Sequence, residues 1–195
     1  MQLIDLQNRV RIALTTTIVD EWSLLSSATG TTRPSERAVA FHLGWRLRSL
    51  VEQRWDVDCE YNRSGMFLEE SVRLVDSDGR RIPDVIVHRR GRLGPENNLL
   101  LLELATDRVR SEDPEEAFAQ DAARAGALQA RFGYRYSAVL DLGIGTGTPG
   151  SPELYPRWQW ATLDDGLEEA EDVYGASVLH EITLRATAAS RARER

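Results

Sequence analysis

RRIPDVIVHRRGRLGPENNLLLLELATD, Arg80 to Asp107, contains two apolar runs, each with a carboxylate in it. IPDVIVH and NLLLLELAT are joined by RRGRLGPEN, a segment of turn formers and arginines. Such a pattern predicts a β-hairpin with both strands buried. Asp84 then sits at the mouth of the first strand and Glu103 inside the second. A buried carboxylate without a partner is costly, so it must be paired, protonated or bound to a cation.

The segments on either side frame the hairpin. Glu112 to Phe132 reads as an Ala-rich helix with Phe118, Ala122, Ala125, Leu128 and Phe132 on one stripe, followed through Gly133 by a third apolar strand in YRYSAVLDLG. A helix between two such strands predicts a parallel crossover. Upstream, Pro34 to Arg54 reads as a helix with an inward stripe of Val39, Ala40, Leu43, Leu47, Leu50 and Val51. Glu36 falls on that stripe, so it is expected to face the core or a cleft. DVDCEYN alternates like a strand, whereas Arg63 to Arg80 has no clear period. Leu3 to Ser26 predicts a first helix, ended by TGTTRP. Beyond GIGTGTPGSP, RWQWATL is expected to form an edge strand, and the tail ASRARER to fray. The predicted fold is α/β, with a mixed sheet flanked by helices.

Composition narrows the possible functions. The 195 residues suit one domain, and no apolar run approaches the roughly 18 residues of a membrane span. MQLIDLQNRVRIALTTTIVDEW lacks the pattern of a signal peptide, so a cytoplasmic protein with no membrane partner is expected. Cys59 is the single cysteine, which excludes an internal disulfide and multi-cysteine zinc sites. All 24 basic residues are arginine, so no chemical step can use a lysine. The net charge of −7 gives nucleic acid no general attraction. A nucleic-acid surface would therefore need a local basic patch.

Alternation along strands makes Glu103 and Ala105 point the same way, and Asp84 and Ile86 share a face of the partner strand. Hairpin pairing can bring Asp84 beside Glu103, and Glu36 can join them. Converging oxygen donors of this kind suit Mg²⁺, which takes one or two carboxylates and keeps several waters. Taken singly, Glu103 could instead pair with Arg124, and Asp84 could be satisfied by backbone donors. Arg89, Arg90 and Arg92 are either a phosphate-contacting loop or a solvated turn. His42 and His88 lack ligand spacing, and GIGTGTPG lacks that of a dinucleotide site. Trp158 and Trp160 share a strand face, for base stacking or for packing.

Glu36 on a helix, Pro83-Asp84, the tripeptide Glu103-Leu104-Ala105 and a helix bearing Asp121 and Arg124 together resemble the PD-(D/E)XK nuclease superfamily. SERAVAFHL, DVDCEYNR, PDVIVHRRG and LLLLELA resemble an uncharacterised bacterial group within it. The resemblance covers Pro34 to Leu142. It implies a restriction-endonuclease-like core over residues 34–165, with residues 1–33 as an N-terminal helix and linker and residues 166–195 as a C-terminal extension. It also implies Mg²⁺-dependent phosphodiester hydrolysis. Asp84, Glu103 and the carbonyl of Leu104 would be the metal ligands, and Glu36 the helix carboxylate that holds metal-bound water. The expected ligand is nucleic acid, DNA foremost, contacted by Arg89, Arg90, Arg92 and Arg124. A homodimer or protein partner remains open. The family lysine falls on Ala105, so charge at that point would have to come from Arg108, Arg110 or Arg124, none of them a good general base. The alternative is a catalytically inactive nuclease-fold subunit that binds or assembles.

Overall fold

The computed structural model describes residues 1–26, 34–61, 63–64, 72–73, 82–106, 112–145 and 153–193. At its centre lies β5 (Asn98–Ala105), buried along its whole length. That burial explains the unbroken apolar run, because a strand covered on both faces has no solvent side to alternate with. On one side of β5 stand β4 (Val85–His88) and β1 (Asp56–Cys59), and on the other β6 (Tyr136–Asp141) and β7 (Arg157–Thr162). Two short strands, β8 (Gly166–Leu167) and β9 (Glu171–Asp172), both pair with β7 and complete a seven-stranded sheet. β5 and β6 are parallel and the other pairings antiparallel. A separate ribbon pairs β2 (Arg63–Ser64) with β3 (Val72–Arg73).

Strand alternation sorts the core into two layers. Val85, Val87, Leu100, Leu102 and Leu104 pack in one cluster with α1 (Leu3–Asp20), α3 (Glu36–Leu50) and α5 (Ala176–Arg193). Ile86, Leu101 and Val139 face α4 (Pro114–Phe132) on the opposite side, against Phe118, Ala122, Ala125 and Leu128. The chain is thus α/β, a mixed sheet with helices on both faces. Both caps of α4 are legible in its sequence. Asp113 accepts from the Glu116 amide at 2.9 Å, Pro114 opens the helix, and Gly133 closes it in the left-handed region at φ 65°.

Several elements differ from expectation. The first helix divides at Glu21 into α1 and a short α2 (Trp22–Ser26). RWQWATL is no edge, because β8 and β9 continue the sheet beyond it. The tail does not fray through Arg193. It belongs to α5, whose Ile182 and Ala186 are buried in the same core as α1. Trp158 and Trp160 are core residues, each 1% exposed, and their rings meet edge to face at 5.5 Å. No described helix is long and apolar enough to cross a membrane.

The first glycine of GIGTGTPG is structural. Gly143 turns the chain after β6 at φ 55°, and a Cβ there would lie 2.6 Å from the carbonyl oxygen of Tyr155. Gly143→Ala is therefore expected to cost about 1–3 kcal/mol from strained backbone plus displacement of that carbonyl. Urea unfolding reads the loss as a lower midpoint with unchanged slope.

Candidate functional site

The β4–β5 register pairs Val85 with Leu102, and continuing it by one residue sets Asp84 opposite Glu103. Both lie on the face covered by α4, just beyond the apolar contacts of Ile86 and Leu101. They line a cleft of about 450 Å³ together with Glu36, Arg37, Glu60, Ile82, Leu104, Ala105, Asp121 and Arg124. α3 contributes its first turn, opened by Ser35, whose hydroxyl accepts from the Ala38 amide at 3.3 Å. α4 contributes Asp121 and Arg124, one turn apart on the flank of its buried stripe.

Both of the simpler pairings considered for the two carboxylates occur. One oxygen of Asp84 accepts from the Leu104 amide at 2.7 Å. Glu103 Oε2 accepts from Arg124 at 3.0 Å, and Arg124 also reaches Asp121 at 2.7 Å. These contacts leave charge unresolved. Glu103 is 5% exposed, and its other oxygen, Oε1, is buried with no hydrogen-bond partner.

Charge repulsion in the cleft follows from this crowding. Burial, reinforced by the neighbouring Asp84, pushes the Glu103 carboxyl up to about 7 although Arg124 opposes the shift. Burial likewise pushes Asp84 up to about 6, with Glu36 and Glu60 adding to the effect and the Leu104 amide and Arg124 resisting it. Burial works against the charge on Arg124, but Glu103 and Asp121 outweigh it and hold the guanidinium protonated. Five carboxylates line the cleft against two guanidiniums. Such a site attracts cations and repels phosphate.

The structure brings Glu36, Asp84, Glu103, Leu104 and Arg124 to one cleft and leaves the arginine loop elsewhere. Arg89, Arg90 and Arg92 follow β4, at the end of the hairpin away from Asp84. The physical reason is simple: Asp84 precedes the first strand, whereas a hairpin loop follows it. Arg90 binds Asp58 by a two-point ion pair, and Arg89 lies over the Trp55 ring at 5.1 Å. Arg108 and Arg110 lie outside the described residues. Of the two places expected for Glu36, the core or a cleft, the structure gives the second: it is exposed in the first turn of α3 and lines the cleft. Among the described residues, no group of three or more His, Cys, Asp or Glu side chains is arranged to hold a metal ion. His88 is buried against Asp58 at 2.9 Å, and His42 lies 3.2 Å from Glu21.

Arg37 and Glu60 were not foreseen. They form an exposed ion pair on the rim. Glu60 holds a positive φ of 48°, uncommon for a residue with a side chain, and its amide donates to the Asp84 carbonyl at 3.1 Å. The strand alternation of DVDCEYN put Asp56, Asp58 and Glu60 on one face, but only the β1–β4 pairing brings Glu60 to Asp84. No family model, curated protein or solved structure matches this chain.

Proposed function

We propose that the protein is a nuclease of the PD-(D/E)XK type, with a restriction-endonuclease-like core, acting on nucleic acid in the cytoplasm. One observation carries the reading: Glu103 Oε1, buried and without a partner, lies in a carboxylate-rich cleft beside Asp84. A divalent cation satisfies such an oxygen and stabilises the charged carboxylates against the burial, and the smaller repulsion from neighbouring acids, that raise both groups. Asp84 and Glu103 fit the sparse protein donor set of Mg²⁺, which keeps several of its waters. The backbone of Leu104 lies beside them. When bound, Mg²⁺ would supply Lewis-acid polarisation of a phosphodiester and a more acidic water.

The chain's own residues then have distinct tasks. Asp84 is oriented by the Leu104 amide, and Glu103 is positioned by Arg124. Glu36, on the exposed first turn of α3, can hold a water at the cleft mouth. Arg124 lines the cleft with Ala105 and, paired with Glu103, is a cation that can stabilise charge in place of the missing lysine, but it remains protonated and cannot serve as the base. The test is cleavage of single- and double-stranded DNA and RNA by the purified chain with Mg²⁺ or Mn²⁺. Asp84→Ala and Glu103→Ala are each expected to reduce cleavage at least about 100-fold. Cleavage that survives both substitutions would place the chemistry elsewhere or in a contaminant.

A specific observation supports the second reading, an inactive binding or assembly subunit of nuclease fold. Arg124 already occupies one Glu103 oxygen, and Ala105 carries no charge. Cation binding without cleavage of any nucleic acid would select that reading.

A further inference from the structure

α3 carries an aromatic stripe on its solvent face. Phe41 and Trp45 are 54% and 68% exposed, unusual for rings of that size. Their centroids lie 6.3 Å apart and their planes differ by 28°, a stacked pair of largely exposed rings. Arg37 stands one turn before Phe41 and Arg48 about one turn after Trp45, both exposed. Helical spacing aligns these four side chains in one row. Arg37 also lines the cleft, so the row starts at its rim.

We propose that this row binds single-stranded nucleic acid and leads it to the cleft, with bases stacked on Phe41 and Trp45 and phosphates held by Arg37 and Arg48. The inference names a substrate class for the nuclease reading and rests on it for the cleavage step alone. Two exposed rings flanked by arginines supply the parts of a single-strand platform, namely π-faces for bases and guanidiniums for phosphates. Arg37 is engaged with Glu60, but its side chain is 82% exposed, and an exposed pair is readily exchanged for a phosphate. The acids Asp20 and Glu21 at the end of α1 are paired with α3 side chains outside the row, Asp20 with Arg46 and Glu21 with His42 and Arg46. A helix surface also cannot enter duplex stacking without unpairing the bases, so single strands are preferred. The overall negative charge is compatible with this mode, because stacking supplies much of the affinity and only two phosphates need neutralising.

The test uses the full chain, a fluorescein-labelled oligothymidylate and EDTA, which removes cleavage from the measurement. Fluorescence anisotropy should show binding at low salt, accompanied by quenching of tryptophan emission. Phe41→Ala and Trp45→Ala should each weaken binding about 5-fold or more. The slope of log affinity against log salt should be about −1.4, falling by about 0.7 in Arg37→Ala and in Arg48→Ala. All four side chains are exposed, so the variants should keep the wild-type melting temperature and remain interpretable. No binding at low salt, or equal binding by the Phe41→Ala/Trp45→Ala double variant, overturns the proposal. So does a wild-type dimer that the double variant dissociates in sedimentation, which would make the row an interface between copies. Failure of the nuclease reading looks different: oligothymidylate is bound through the row, but no Mg²⁺-dependent cleavage occurs.

Discussion

Ala105→Lys is expected to raise Mg²⁺-dependent cleavage of nucleic acid about 100-fold, and Asp84→Ala in the same background to abolish the gain. Position 105 shares its strand face with Glu103, and Ala105 lines the same cleft at 9% exposure. An ammonium there would lie beside two carboxylates and stay charged, so it would orient water and stabilise the transition state rather than take a proton. The parallel register adds a competitor, since Ala105 pairs with Asp141 of β6. Asp141 is 3% exposed, accepts from the Gly143 amide at 2.9 Å and lies 3.8 Å from Arg157. It can draw the new lysine sideways, away from the water site. Ala105→Lys with Asp141→Asn should therefore exceed the single variant, because asparagine can still accept from Gly143 without holding the ammonium. Strong cleavage by the natural chain that the lysine does not improve would mean that Arg124 already fills the role. Cation binding with no cleavage by any of these variants would leave the binding-subunit reading.

The part of this site that was legible in the sequence was its local pattern. The eight buried residues of β5 announce a central strand, and the position of Glu103 within that run identifies a carboxylate that must be compensated. The α4 stripe and caps follow from spacing and residue type in the same way. Pairing between distant segments was less accessible. Glu60 reaches Asp84 only through β1–β4 pairing, and α5 becomes recognisable as a core helix only when Ile182 and Ala186 meet α1. Its other apolar residues include Val178 and Leu184, both about half exposed, so no clean stripe marks the buried face. The place of the arginine loop is also readable in the sequence, because the direction of a hairpin puts its loop at the far end from the residue that begins it.

In EDTA, stability should rise by roughly 2 kcal/mol from Glu103 as pH is lowered from about 7.5 to about 5. Glu103 is pushed from 4.5 to about 7 in the folded chain, and Asp84 from 3.8 to about 6. Both folded values lie above the unfolded ones, so the folded state holds the extra protons. The resulting stabilisation is fully present below the unfolded values and is lost as pH rises through the folded ones. Arg124 opposes the Glu103 shift from α4, while Asp84 and Asp121 support it. Glu36 and Glu60 support that of Asp84 from α3 and the end of β1. The two groups repel each other, so protonating one lowers the gain from the second and their contributions do not add. Glu103→Gln isolates the effect: it keeps the shape, removes the titrating charge and should flatten the pH dependence between those limits. Mg²⁺ should act in the opposite sense, raising the melting temperature most above pH 7, where both carboxylates are free of protons. If natural chain and Glu103→Gln lose stability alike on acidification, and Mg²⁺ adds nothing at high pH, then Arg124 alone offsets the buried charge of Glu103. The orphaned oxygen would then be a feature of packing, and the case for a cation in the cleft would fall with it.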